Sequence, residues 1–163
     1  MRTRRIVIVA AAMLAATKLA ISAAAGQPNV EIDTAAAVNA CVAPELQSRP
    51  LEQVSLVERQ DMIACVNAHA ARQLQASLPM QVDDITTLTE LTTVGPLVVY
   101  QYRIARAART LGANVGAQME SQTRAFVCAD AQMRQTIALG GSYEYRWDDD
   151  AGQPIHKMRV TSC

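Results

Sequence analysis

The sequence is poor in the residues on which most enzyme active sites and nucleic-acid interfaces depend. Its 163 residues include only two histidines, and the fifteen basic residues are balanced by fifteen acidic ones. There is no Gly-X-Ser-X-Gly elbow, His-Glu-X-X-His motif, phosphate-binding loop or dinucleotide-binding fingerprint. The charge balance excludes a polybasic nucleic-acid-binding protein and a highly charged disordered chain. No catalytic constellation is therefore apparent from motifs.

The first 25 residues are typical of a cleavable signal peptide. A basic segment, Met1–Arg5, precedes the apolar run Ile6–Ala16, which is too short to span a bilayer comfortably. Ser22–Ala25 supplies the small residues that a signal peptidase requires. An uncleaved N-terminal anchor is the alternative, and the charge of Lys18 disfavours it. Cleavage would leave one domain, residues 26–163, with eleven basic and fifteen acidic side chains and a net charge of −4.

Export would place the mature chain outside the cytoplasm, in the periplasm or the medium. The adjacent Arg4 and Arg5 leave both the general and the twin-arginine export routes open. No cysteine follows the apolar run, so the sequence does not predict a lipoprotein anchor. No later segment has the length and hydrophobicity of a transmembrane helix, so we expect no membrane span in the mature chain.

All four cysteines lie in the mature part of the chain, at Cys41, Cys65, Cys128 and Cys163. An even number of cysteines in an exported chain favours two disulfides, for which three connectivities exist. We prefer Cys41–Cys65 and Cys128–Cys163, because each pair ties one half of the chain to itself. Loops of this length would each stabilise the fold by about 3–4 kcal/mol in the chain-entropy model. The alternative for Cys163, the last residue, is a free thiol for an intermolecular bond.

Alternation of helical and strand periodicity predicts an α+β fold. A short helix is expected to end at Cys41, and the capping box from Ser55 to Glu58 begins a longer helix that Pro79 stops near Leu78. Strands are predicted at 84–94, 97–104, 142–147 and 155–161, with helices at 114–128 and from 130 to about 139. This helix–hairpin–helix–hairpin order predicts a four-stranded, mainly antiparallel sheet with helices packed on one face.

Five of the six aromatic residues of the mature chain lie in two short strands. This aromatic cluster consists of Tyr100, Tyr102, Tyr143, Tyr145 and Trp147. Side chains alternate along a strand, so the cluster shares one face and Arg103 points to the other. Either the cluster is the core beneath the helices, or part of it is an exposed platform, with Trp147 as the best single candidate. The candidate binding surface is the aromatic cluster together with Arg103.

Two further groups of residues have alternative chemical interpretations. Cys65 and His69 lie four apart on a predicted helix, a spacing that suits metal ligands or a thiol and its base. A disulfide would use Cys65, and His156 is the only other histidine, so we predict no metal, cofactor or catalytic residue. The three aspartates at 148–150 lack the spacing of a calcium-binding EF-hand, and they predict a solvated hairpin tip.

These features favour an exported, non-enzymatic interaction module: an accessory, an inhibitor or an immunity-type protein. Its expected partner is another envelope or exported protein, and not a nucleic acid. A small-ligand carrier, with a pocket between helices and sheet, is one alternative. A small hydrolase or thiol enzyme that uses Cys65 and His69 is the other. The sequence leaves the partner and the oligomeric state open.

Overall fold

A computed structural model describes residues 33–163, and the signal peptide predicted for residues 1–25 lies outside this part of the chain. Single turns of 3₁₀ helix occur at Leu51–Gln53 and Ala108–Thr110. The other elements, in chain order, are α1 (Thr34–Cys41), α2 (Pro44–Gln47), α3 (Leu56–Gln75), β1 (Met80–Gln81), β2 (Thr86–Val94), β3 (Leu97–Ile104), α4 (Val115–Ala129), α5 (Ala131–Ala138), β4 (Ser142–Asp148) and β5 (Pro154–Val160).

Side-chain caps fix the beginnings of three helices, of which α1 is capped by Asp33. The Ser55 hydroxyl accepts the backbone N–H of Glu58, and the Glu58 carboxylate accepts that of Ser55, so α3 has the predicted capping box. The same backbone hydrogen bond and a 2.6 Å hydrogen bond from Arg49 lower the pKa of Glu58 to about 2. Asp130 caps α5 by accepting two of its first backbone N–H groups. At its other end α3 stops at Gln75, earlier than predicted.

The five strands form one sheet in the order β1-β2-β3-β4-β5. All neighbours are antiparallel except β3 and β4, which are parallel. Parallel neighbours need a crossover connection, and α4 and α5 supply it. The predicted mixture of helices with a mainly antiparallel sheet agrees with this architecture. The predicted count of four strands is one too few, because β1 has only two residues and no readable alternation.

Each strand divides its side chains between an inner face, towards the helices, and an outer face. The parallel register places Tyr100 beside Tyr145 and Tyr102 beside Trp147, so the aromatic cluster lies together on the inner face. The core beneath the helices also includes the fully buried Val127 of α4. The period-two pattern of the strands therefore places the aromatic cluster on one face of the sheet, and the structure shows that this face meets the helices.

The structure has the two disulfides preferred from the sequence. Cys41–Cys65 joins α1 to α3, and Cys128–Cys163 joins α4 to the end of the chain. No cysteine between residues 33 and 163 is free, so the thiol-enzyme alternative loses its nucleophile at Cys65. Because disulfides persist in oxidising compartments, they indicate an extracytoplasmic protein. In this same part of the chain, no helix is both long and apolar enough to cross a bilayer.

Candidate binding groove

A cleft of about 640 Å³ is lined by residues of α3, α4 and α5 and of the inner face of the sheet. We call it the groove. Its helical walls are mainly apolar, and they include Ile63, Val66, Leu74, Met119, Phe126 and Met133. Ligand-binding clefts typically measure about 300–1,000 Å³ and are lined mainly by apolar side chains. The groove has both properties.

The walls follow from helical periodicity. On α3, Ile63, Val66 and Leu74 recur at spacings that place them on one side of the helix, towards the sheet. On α4, Phe126 lines the groove although 53% of it is exposed, so an apolar ring stands open to solvent at the groove. From the sequence, a pocket between helices and sheet was expected only for the small-ligand carrier.

The aromatic cluster forms the floor of the groove. The rings of Tyr100 and Tyr145 stack with centroids 5.0 Å apart, and those of Tyr145 and Trp147 stack at 5.9 Å. Tyr102 stacks on Trp147 at 6.0 Å, which continues the row across two strands. Stacking in register explains why these rings occupy one continuous surface, since neighbouring strands bring paired side chains within contact distance.

The two interpretations of the cluster apply to different residues within it. Tyr145 and Trp147 are only 3% and 7% exposed, so they are packed core residues. Trp147 therefore does not project as an exposed platform. Tyr100 and Tyr102 are half-buried and line the groove. Arg103 lies on the outer face and is exposed, so the structure does not bring it to the cluster.

The hydroxyl of Tyr145 is buried and has no hydrogen-bond partner among residues 33–163. Burial, reinforced by the neighbouring tyrosines, raises the pKa of Tyr145 far above its usual value. The group therefore stays protonated and keeps its capacity to donate. A buried donor left unpaired costs about 1–3 kcal/mol. A ligand that carries an accepting oxygen would recover part of this cost.

The charges that line the groove have one sign. Asp83 and Asp130 are among its lining residues, and no lysine or arginine of residues 33–163 is. Both carboxylates accept backbone N–H groups, Asp83 from Ile85 and Thr86, and Asp130 from the first turn of α5. Those hydrogen bonds hold them in place. An anion in the groove would therefore meet acidic side chains and no lining cation of residues 33–163, so a neutral or cationic group suits it better.

The acidic hairpin tip differs from the solvated turn predicted by sequence analysis. Asp149 is only 5% exposed, and its carboxylate accepts the backbone N–H groups of Ala108, Ala151 and Gln153. These hydrogen bonds lower the pKa of Asp149. Asp149 thus connects the hairpin tip to the 3₁₀ turn that follows β3 through a hydrogen bond. Asp150 is exposed.

No protein-family model matches this chain, and no curated protein matches it significantly in sequence. Its fold is similar to solved structures. The pilotin EpsS of the Vibrio vulnificus type 2 secretion system superposes with a TM-score of 0.56 at 20% identity, covering 65% of this chain and 94% of that one. The type II secretion pilotin AspS of Vibrio cholerae gives 0.53 at 20% identity, with coverage of 65% and 94%.

A third similar structure is a Pseudomonas aeruginosa protein assigned as secreted. Its TM-score is 0.55 at 19% identity, and the match covers 63% of this chain and 91% of that one. At these identities the three similarities show the fold alone.

Proposed function

We propose that the mature chain is a periplasmic interaction module that receives an apolar segment of another envelope protein in the groove. The observation that carries the proposal is an apolar cleft of about 640 Å³ in which an aromatic side chain, Phe126, remains half exposed. Exposed apolar surface of this kind marks binding sites, because water contact there is unfavourable. Export by a cleaved signal peptide at residues 1–25 belongs to the same proposal.

The similarity to two pilotins of type II secretion systems supports an accessory role in an envelope assembly. An interaction module needs no catalytic residues. A folded carrier of a partner's apolar segment needs a preformed cleft. One disulfide joins α1 to α3, and the other joins α4 to the residues that follow β5, so both restrain helices that precede or form its walls. The partner proposed is therefore a component of such an assembly, recognised through an apolar segment.

The lining charges favour a protein segment over a fatty acid. A fatty-acid carboxylate would meet Asp83 and Asp130 with no cation of the lining to balance it. An apolar helix with basic flanks would instead place cations beside these carboxylates, and a backbone or side-chain oxygen could accept the Tyr145 hydroxyl. A small-ligand carrier is the second candidate, since the cleft volume suits a neutral apolar molecule.

Defined probes separate these candidates. We would measure fluorescence anisotropy with a leucine–alanine helix of about 20 residues, flanked by lysines or by glutamates, and displacement by laurate or by neutral dodecanol. The protein-module proposal predicts that the lysine-flanked helix binds more tightly than the glutamate-flanked one. Binding of dodecanol alone would favour the carrier, and binding of none of the probes would contradict the groove as a binding site.

Phe126→Ala and Val94→Ala form a matched pair of variants. Both side chains are largely exposed, 53% and 68%, so neither truncation should unfold the chain. Phe126 lines the groove, whereas Val94 pairs with Leu97 on the outer face. Phe126→Ala should weaken binding of the lysine-flanked helix about tenfold, and Val94→Ala should not, because only Phe126 contacts the occupant.

Photo-cross-linking in the native envelope identifies the partner. A photoreactive residue is placed at position 126, and the same residue at position 94 is the control. The proposal predicts one discrete adduct with an envelope protein from position 126, mapped by mass spectrometry to an apolar segment. Equal adducts from both positions would contradict specific binding in the groove.

A further inference from the structure

The outer face of the sheet, opposite the groove, contains a buried acidic residue. Glu144 lies on β4 and is 1% exposed. Its side chain points away from the aromatic cluster, because it alternates with Tyr143 and Tyr145. Across the two neighbouring strands it pairs with Val99 and Arg159. A fully buried carboxylate here requires compensating cations.

Three cations surround Glu144. Arg146 and Arg159 each approach one of its carboxylate oxygens at 2.6 Å, and Lys157 approaches Oε1 at 3.1 Å. Burial alone would raise the pKa of Glu144, but the hydrogen bonds from Arg159, Arg146 and Lys157 outweigh it and lower the pKa to about 2. One negative charge is thus held among three positive charges. The local excess is two positive charges.

The cations are held in place but remain open to solvent. The side chains of Arg146, Lys157 and Arg159 are 45%, 59% and 51% exposed. Each arginine uses Nε and Nη2 on Glu144, and in residues 33–163 its other terminal nitrogen has no partner. The buried carboxylate therefore orders two guanidinium groups in advance, which reduces the entropy that a ligand would otherwise lose.

Other charges on the outer face do not cancel this excess. Asp148 accepts a 2.8 Å hydrogen bond from Gln101 and lies beside Arg103 in register. Glu90 is on β2, separated from β4 by the intervening strand. No carboxylate of residues 33–163 other than that of Glu144 forms an ion pair with Arg146, Lys157 or Arg159.

We propose that Arg146, Lys157 and Arg159 form a binding site for a phosphoryl group, with Glu144 as the positioning residue. Guanidinium groups match phosphate oxygens in geometry and charge, and they bind them by paired hydrogen bonds. A phosphate monoester carries about two negative charges at neutral pH, which equals the local excess. The site is independent of the groove, because it occupies the opposite face and uses none of its residues.

The phosphoryl group could belong to a free anion or to a lipid headgroup, and titrations distinguish the two. We would titrate the mature protein with inorganic phosphate by calorimetry, matching ionic strength with chloride. Vesicles of phosphatidylcholine containing phosphatidic acid, a monoester, would be compared with vesicles containing phosphatidylglycerol, a diester, at equal surface charge. Saturable binding of phosphate supports the site with a soluble ligand, and a preference for phosphatidic acid supports it with a lipid ligand.

Variants of the three cations test whether phosphate binds at this site. Arg146→Gln and Arg159→Gln together should weaken phosphate binding about a hundredfold, since each charge-assisted interaction lost costs about tenfold. Arg124→Gln is the matched control, because Arg124 is 46% exposed and lies on α4 in an ion pair with Glu120.

Lys157→Gln leaves both arginines on Glu144, so this variant should stay folded even if the double variant does not. It should weaken binding severalfold.

Three results would overturn the proposal. The first is an equal response to phosphate and to chloride with no vesicle binding. The second is equal binding of phosphatidic acid and phosphatidylglycerol at equal surface charge without saturable binding of free phosphate, which would show unspecific electrostatic attraction. The third is unchanged binding in a folded Lys157→Gln variant.

Discussion

The two faces of the sheet come from the same strands and have opposite chemistry. On β4, Tyr145 faces the groove among stacked rings, while its neighbour Glu144 faces outwards among three cations. Burial of aromatic surface stabilises the inner face, and this contribution does not depend on charge. Ion pairing stabilises the outer face and therefore depends on pH and salt. Substitutions that remove either the aromatic burial or the ion pairing test this comparison, because only the second should change the pH dependence of stability.

The largest effect is expected on the inner face. Trp147→Ala removes a core ring that is 7% exposed and stacks on Tyr102 and Tyr145. It should lower the free energy of unfolding by about 3–5 kcal/mol, measured by denaturant titration. An unfolding free energy near that of the unmodified protein would instead mean that Trp147 is a surface platform.

Glu144→Gln should have the next largest effect, and only above acidic pH. The folded-state pKa of Glu144, about 2, is below its ordinary value of 4.5. Its contribution is therefore present above pH 4.5 and disappears as the pH falls towards 2. We expect a loss of about 2–3 kcal/mol at pH 7 that vanishes near pH 2, measured by unfolding across pH.

Glu58→Gln should show a pH dependence of the same kind, because the pKa of Glu58 is also lowered to about 2. Both carboxylates titrate in the same window, so the double variant should flatten the acid limb of the stability curve more than either single one. A Glu144→Gln curve parallel to that of the unmodified protein would show that the outer-face ion pairs contribute nothing.

The smallest effect, and the one with the opposite sign, is expected for Tyr145→Phe. It removes a buried hydroxyl that has no partner in the described part of the chain and keeps the stacked ring. The free energy of unfolding should stay the same or rise by up to about 1 kcal/mol. Binding of the lysine-flanked helix should weaken if the hydroxyl donates to the occupant. A clear loss of stability would show that the hydroxyl is satisfied in the free protein.

Local signals in the sequence predicted the elements well. The capping box from Ser55 to Glu58 marked the start of α3, and Asp130 marked the start of α5. Each of these signals depends on residues within one turn, so no knowledge of the fold is needed. The disulfide pairings preferred from the sequence are those of the structure, and they follow the simplest rule, that each half of the chain closes on itself.

Features that depend on distant residues were not predicted. The parallel pairing of β3 and β4 joins segments separated by the whole of α4 and α5, and no local pattern specifies it. Helical periodicity identifies the apolar sides of α3 and α4, but it does not report the volume or the lining of the cleft between these helices and the sheet. The cations around Glu144 could have been found, because in a hairpin Glu144 pairs with Arg159 and Arg146 with Lys157 once the register is known.

The Cys128–Cys163 disulfide has a mechanical consequence. It joins α4, a wall of the groove, to the residues that follow β5, an edge strand of the sheet. A force that pulls a bound segment out of the groove would press on α4, and the covalent bond would pass that load to β5. From there the hydrogen bonds of four strand pairs would share it. The wall and the floor of the groove are thus expected to resist traction as one body.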